Sequence, residues 1–337
     1  MRPFIYQSAT APAAAVHSFR VGDAQSALEA PAHYLAGGTT LLDLMKLDVM
    51  RPEMVIDIAS LSRGPLGRID ATETGLRLGA LAHMSDAADH PVVRRDFPIV
   101  AQSLQLAASQ QIRNMATLGG NVLQRTRCNY FRDTTYSACN KRNPGSGCAA
   151  TDGFNRRHAV LGISDHCIAT YAGDFAQALI ALDATVEITG KAGTRSMPFA
   201  QLHKAPGNTP EIETALQPGE LISAFSISGR WPRSVYLKAR DRQSYEFALS
   251  SAAIALDVQD GTIRDARVAL GGVATVPWRA REAEALLKGQ KFDEALAQRV
   301  ADAAFANAQG RKHNSFKIAL GKRVVARALQ QAVTMEI

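Results

Sequence analysis

Two glycine turns constrain this chain more tightly than anything else in it. The first lies within HYLAGGTTLLDLMKL, residues 33–47. Tyr34, Leu35 and Ala36 read as the end of an apolar strand, and Gly37, Gly38, Thr39 and Thr40 follow at once. Beyond them Leu41, Leu42, Leu44, Met45 and Leu47 recur with the spacing of one apolar helix face. A strand that turns through glycines into a helix can cradle an anion. Glycine lets the backbone approach closely, and the first helical N–H groups have no partner within the helix. The second turn is ATLGGN, residues 116–121, near the end of a helical pattern over 97–123. Neither turn is GxGxxG or a Walker loop, so the ordinary Rossmann and P-loop readings fail. Either turn alone fits a structural bend as well as a ligand site. Together they suit a dinucleotide clasp, to which Thr39, Thr40, Thr117 and Asn121 would add side-chain hydrogen bonds.

Around these turns the chain reads as mixed α and β. PFIYQSA reads as a strand, followed by helical APAAAVHSF and AQSALEA. MVIDIASL reads as a buried strand, and GLRLGALAHMSDAADHPVV as a strand and then a helix capped near Ser85. From Gln124 to about His166 periodicity fails, and so long an irregular segment inside a domain is a functional one or a disordered one. CIATYAGDFAQALIALDATVEIT restores a helix and a strand. GELISAFSI, SVYLKAR and SSAAIALDVQDGTIRDARVALGGV read as strands, with a tight hairpin at Asp260-Gly261. After Pro277 the spacing is helical. Asp174 suits either the N-cap of its helix or a ligand, and Lys238 and Arg240 read as a solvated strand edge beside Asp241.

The irregular segment holds Cys128, Cys139 and Cys148, and Cys167 follows directly; these are all four cysteines of the chain, spaced C-x10-C-x8-C-x18-C. The spacing is not that of zinc ribbons or bacterial ferredoxins. The clustering within 40 of 337 residues says more than the spacing. Buried unreactive thiols, two disulfides in an oxidising compartment, a structural zinc and a four-iron cluster are the readings open. Arg125, Arg127, Arg132, Lys141, Arg142, Arg156 and Arg157 crowd the same stretch. They would lower thiol pKa values and offset an anionic cluster, while Gly145 and Gly147 would let the backbone wrap it. His158 and His166 read as neighbours of such a site or as surface residues.

The net charge of +7 comes largely from that stretch. With no recognition helix, no RNA-binding motif and 6% aromatic residues, it does not define a nucleic-acid surface. No apolar run approaches the ~20 residues of a membrane span, and residues 1–15 lack the apolar core of a signal peptide. The expectation is a cytoplasmic protein, or a periplasmic one exported folded beside a partner that carries the signal. No Ser–His–Asp set or carboxylate pair suggests hydrolysis.

YLAGGTTLLDLMK, ATLGGNVLQ, YAGD, PGELI and YLKARDR, in this order over nearly the whole chain, resemble the flavin subunits of the xanthine dehydrogenase family of molybdenum hydroxylases. The insertion QRTRCNYFRDTTYSACNKRNPGSGC resembles that of the bacterial periplasmic aldehyde oxidoreductases, whose flavin subunit carries an additional four-iron cluster. Most relatives have a short SPxSD-like stretch there. The resemblance implies an α+β chain: a two-part FAD-binding fold of the vanillyl-alcohol-oxidase (PCMH) type with an inserted iron–sulfur loop, then a C-terminal domain of antiparallel sheet plus helices. The implied divisions are 1–60 and 61–222 for the FAD-binding subdomains, about 124–168 for the insertion, and 223–337 for the last domain. FAD would be held by Leu35, Ala36, Gly37, Gly38, Thr39, Thr40, Leu41 and Leu42 at the pyrophosphate, and by Thr117, Gly120, Asn121, Asp174, Ile222 and Lys238 elsewhere. Cys128, Cys139, Cys148 and Cys167 would ligate a [4Fe-4S] cluster. The implied partners are a small subunit with two [2Fe-2S] clusters and a large subunit with the molybdenum cofactor, in a heterotrimer that passes electrons through FAD to an external acceptor. The aldehyde chemistry would lie on the large subunit, so no catalytic residue is expected here. A stand-alone FAD oxidase or reductase of the same fold and a zinc-binding module are the alternatives.

Overall fold

Val55 and Ile56 are both fully buried although they are adjacent, so their side chains enter opposite faces of one strand. That strand is central in the first sheet. In the computed structural model, which describes residues 1–22 and 30–336, the strands β1 (Ile5–Ser8), β2 (Ala32–Leu35) and β3 (Met54–Asp57) are parallel in the order β1-β3-β2. Parallel pairing brings the three carboxyl ends to one edge, where sheets of this kind bind ligands. The helical reading of AQSALEA lies, except for Ala30, outside the described residues.

A second, antiparallel sheet holds β4 (Ile69–Thr72), β5 (Gly75–Gly79), β6 (Thr185–Gly190), β7 (Gly193–Pro198) and β8 (Leu221–Ser228), in the order β4-β5-β8-β6-β7. Alternate residues Leu76 and Leu78, Val186 and Ile188, and Phe225 and Ile227 enter its core with helices Met84–Asp89, Pro98–Gln105 and Phe175–Ala181. The third sheet holds β9 (Ser234–Ala239), β10 (Ser250–Gln259), β11 (Thr262–Gly271) and β12 (Trp278–Arg279), antiparallel in the order β12-β11-β10-β9. Ala253 and Ala255 face the middle core, while Ala252, Ile254 and Leu256 face helices Arg281–Leu287, Glu294–Ala304 and Phe316–Val333. Burial on both faces explains why β10 is apolar without alternation. The expected hairpin at Asp260-Gly261 is present, both residues having positive φ of 51° and 74°.

Two helix readings need correction. The run over 97–123 is three helices, Pro98–Gln105, Gln110–Met115 and Leu118–Val122. Ala108 turns left-handed at φ 49° and breaks the first. Ser109 and Thr117 then cap the next two, each side chain accepting a backbone N–H. The helix expected to be capped near Ser85 starts at Met84 behind His83, without a side-chain cap, and Ser85 is its second residue. Residues 124–168 are irregular as expected, with one short helix, Asn129–Arg132. Among the described residues no helix is long and apolar enough to cross a membrane.

Candidate cofactor sites

The two glycine turns, 80 positions apart, meet in the structure. A Cβ on Gly37 would lie 1.8 Å from the Met115 carbonyl oxygen and 3.2 Å from Ala116 Cα. Only a residue without a side chain lets the first turn rest on the backbone that leads into the second. Gly38 has φ 73° and sits over Leu42 and Leu35. Gly119 donates to the Ala80 carbonyl at 2.7 Å, which pins the second turn to the end of β5. The Thr117 side chain accepts from the Gly120 N–H at 3.3 Å.

Two cavities part at Thr39 and Thr40. The first, about 290 Å³, is lined by Ala36, Gly37, Gly38, Leu41, Thr117, Gly120 and Ile222, with Phe19 and Tyr34 on its apolar wall. The second, about 540 Å³, is lined by Asn121, Asp174, Arg127, Arg132, Tyr245 and Phe247. Their sizes suit the two halves of a dinucleotide. The Asn121 Oδ1 is a buried acceptor without a partner, which a ligand in the second cavity would satisfy. On these observations the residues present fit FAD. Leu35 and Leu42 turn away from both cavities into a small core with Leu44, Val55 and Phe131.

Asp174 and Lys238 overturn two of the expectations. Asp174 stands at the N-cap position of helix Phe175–Ala181, but its side chain makes no cap bond. Its carboxylate accepts instead from Lys238 Nζ at 2.7 Å and from the Tyr236 hydroxyl. Lys238 is no solvated edge residue: its side chain is 1% exposed, and Nζ also donates to the Leu106 carbonyl at 3.0 Å. A buried ammonium needs a counter-charge more than the helix end needs an acceptor. Lys238 thus stands behind Asp174 and holds it at the wall of the second cavity. Sequence reasoning missed the segment 212–221 on the first cavity; Pro218-Gly219, with Gly219 at φ 86°, was its turn signal. It also missed Tyr245 and Phe247, for which the sequence carries no signal.

The four cysteines converge on one small apolar gap lined also by Phe131, Ala138 and Ala149. Asn140 and Gly147 bond in both directions, and Gly145 and Gly147 take φ of 82° and 93°. This turn sets Cys139 opposite Cys148 as an isolated antiparallel bridge. Cys167 Sγ accepts from the Ala169 N–H at 3.4 Å, and His158 Nε2 lies 3.1 Å from Cys128 Sγ. All four cysteines are free. Among the described residues no group of three or more His, Cys, Asp or Glu side chains is close enough to hold a single metal ion.

The electrostatics differ from the expectation. Burial pushes the Cys128 thiol up to about 12 and the Cys167 thiol up to about 11, and raises Cys139 as well. Arg142 lowers Cys139 and Lys141 lowers Cys167, but burial outweighs both, and most of the basic residues are already paired with carboxylates from distant elements. Asp43 takes Arg127 and Arg132 at 3.2 and 2.8 Å. Glu213 takes Arg125 and Lys141 at 3.0 and 2.8 Å. Asp241 takes Arg156 at 2.7 Å, and Glu246 takes Arg157 at 3.1 Å. Arg142 bonds the carbonyls of Tyr130, Phe131 and Tyr136. The positive stretch is therefore a set of struts and not an open cationic patch. Burial would raise the Glu213 carboxyl, but Arg125 and Lys141 outweigh it and hold it at about 2.

Two histidines make stability depend on pH. Desolvation lowers His33 and His203 from 6.5 to about 4, the Arg125 charge adding to the effect at His33. His203 packs its ring against Tyr171 and Phe199. The unfolded chain takes up these protons near pH 6.5 and the folded chain only near 4. Stability is therefore full above about 6.5 and falls as the pH drops toward 4, by at most ~1.4 kcal/mol per pH unit for each group. The denaturant midpoint of the FAD-free protein is expected to fall between pH 7 and 5, and His203→Phe to flatten that slope. Equal slopes in both proteins would be the contrary result.

Residues 12–227 match the FAD binding domain in molybdopterin dehydrogenase, and residues 235–332 the CO dehydrogenase flavoprotein C-terminal domain. The chain belongs to the FAD-binding subunits of the molybdenum hydroxylase family, which are subunits of oxidoreductases. It is 47% identical to the aldehyde oxidoreductase FAD-binding subunit PaoB of Escherichia coli (strain K12), with 98% of this chain and 99% of that one aligned. The glyceraldehyde dehydrogenase medium chain of Sulfolobus acidocaldarius is 25% identical over 79% of this chain and 77% of its own. Among solved structures, carbon monoxide dehydrogenase from Hydrogenophaga pseudoflava superposes with a TM-score of 0.74 at 25% identity, covering 98% of this chain and 97% of the other.

Proposed function

We propose that this chain is the electron-transfer flavoprotein subunit of a molybdenum-containing aldehyde oxidoreductase, with FAD and a [4Fe-4S] cluster on the same chain. The observation that carries the flavin part is the contact of Gly37 with the Met115–Ala116 backbone, which joins both glycine turns where the two cavities part. The aldehyde class is supported by the 47% identity to a named aldehyde oxidoreductase subunit over nearly both chains. Thr39, Thr40, Gly38 and Gly120 would hold the pyrophosphate, and Asn121 and Asp174 would orient the half of FAD that enters the second cavity. FAD supplies the chemistry of accepting and releasing electrons.

The cluster assignment is supported by the convergence of all four cysteines on one gap. The second cavity shares Arg127, Arg157, Glu246 and Phe247 with a third cavity of about 150 Å³. Cys128 lies on the wall of that third cavity. With its redox end in the second cavity, FAD would lie on the side of Cys128. Relatives named as medium chains support a complex with further subunits, which on this reading are a [2Fe-2S] subunit and a molybdenum-cofactor subunit.

Co-expression with those subunits and cofactor analysis test the reading. Flavin absorption plus a broad shoulder that bleaches with dithionite is the expected spectrum. Cys148→Ser should remove this chain's iron while FAD stays bound. A colourless protein would end the proposal, and unchanged iron per flavin in the variant would end its cluster part.

A further inference from the structure

His158 is 5% exposed and lies among the cysteines, yet its ring is committed to one of them alone. Nε2 is 3.1 Å from Cys128 Sγ, while Nδ1 is buried without a partner. Three bonds hold its backbone there, one local and two from the C-terminal domain. Its N–H donates to the Asn155 carbonyl at 2.9 Å, and its own carbonyl accepts from Lys317 Nζ at 2.9 Å and from Asn314 Nδ2 at 3.4 Å. Lys317 is fully buried and also reaches the carbonyls of Arg157 and Gly272. A lysine and an asparagine of the C-terminal domain thus hold the backbone from which this histidine reaches the sulfur.

A thiolate bound to iron carries no proton, so the contact to it has to be an Nε2–H donated to sulfur. Donation to a cluster sulfur favours the more negative, reduced state, because that state places more charge on sulfur. We propose that His158 is a positioning residue that raises the reduction potential of the cluster through Cys128, and that Lys317 and Asn314 hold it in place. The inference rests on the four-iron reading above. One electron enters the cluster on reduction and no bond is made or broken at His158, so the residue sets the potential without taking part in a transfer.

The test is a redox titration of the holo complex, followed by electron paramagnetic resonance for the cluster and by absorbance for the flavin. In His158→Phe the cluster midpoint is expected to move to lower potential, with iron per flavin and the flavin midpoint unchanged. His158→Gln, which keeps an N–H donor, should recover part of the shift. An unmoved cluster midpoint in a variant with full iron would overturn the proposal. Loss of iron in both variants would also overturn it, since His158 would then retain the cluster instead of tuning it. Wild-type complex without iron on this chain would instead refute the cluster reading on which the inference stands.

Discussion

Gly37→Ala is expected to strip FAD from the protein although it adds a single methyl group. That methyl would sit 1.8 Å from the Met115 carbonyl oxygen, where contacts of a Cβ stay above 3.0 Å. The obstacle is backbone on both sides, so no side chain can swing aside. One turn must retreat from the other by roughly an ångström, and the two halves of the clasp lose their common ligand position. Overpacking of this kind costs ~1–3 kcal/mol or more. Taken from binding, that is a loss of about 5- to 150-fold in affinity or beyond. Gly64→Ala is the control. Its Cβ would meet nothing nearer than the Leu61 oxygen at 3.5 Å, and φ there is −101°, so FAD should stay. The FAD-to-protein ratio after purification and a flavin fluorescence titration provide the comparison. Wild-type affinity in Gly37→Ala would mean that the pyrophosphate does not lie between these turns.

Glu213→Ala should have the second large effect, and it should reach both cofactors. The carboxylate accepts from Arg125 at 3.0 Å and from Lys141 at 2.8 Å, and those two side chains are 6% and 12% exposed. Removing it leaves two shielded cations without a counter-charge. Breaking a buried pair costs ~3–5 kcal/mol, and a carboxylate still one-quarter exposed lowers that to about 2–3 kcal/mol. Glu213 lies on the segment that walls the first cavity, while Arg125 and Lys141 belong to the cysteine segment. The variant should therefore lose FAD and iron together, unlike Cys148→Ser. Glu213→Gln keeps two hydrogen-bonding atoms and should fall between. Retention of both cofactors with an unchanged denaturation midpoint would show that the three groups do not couple the sites.

How much of this was legible in the sequence depends on how far apart the interacting residues lie. Gly37, Gly38 and Gly120 stood out because a local strand–turn–helix pattern surrounds them. Their meeting across Met115 did not, since nothing local records which backbone a glycine will touch. Asp174 illustrates the same limit: a helix cap was the local solution, and a lysine 64 positions away displaced it. Likewise the basic residues near the cysteines looked unpaired, because their carboxylates are distant, from 72 positions for Lys141 and Glu213 to 89 for Arg132 and Asp43. Ala108 broke a helix with no sequence cue, alanine being the best helix former of all. The cysteines were legible as a group, while the upward shift of Cys128, Cys139 and Cys167 was not, because burial outweighs the charges that the sequence displays.

The struts around the cysteine segment have a consequence for how the protein is made. The segment is tied to Asp43 in the first lobe, to Glu213 in the second and to Asp241, Asn314 and Lys317 in the last. The last of these ties spans 159 positions. Contacts so remote in sequence form late, since the chain between them must first be ordered. Until the C-terminal helix Phe316–Val333 docks, the cysteine segment therefore lacks the ties from Asn314 and Lys317 and is held less firmly than in the finished protein.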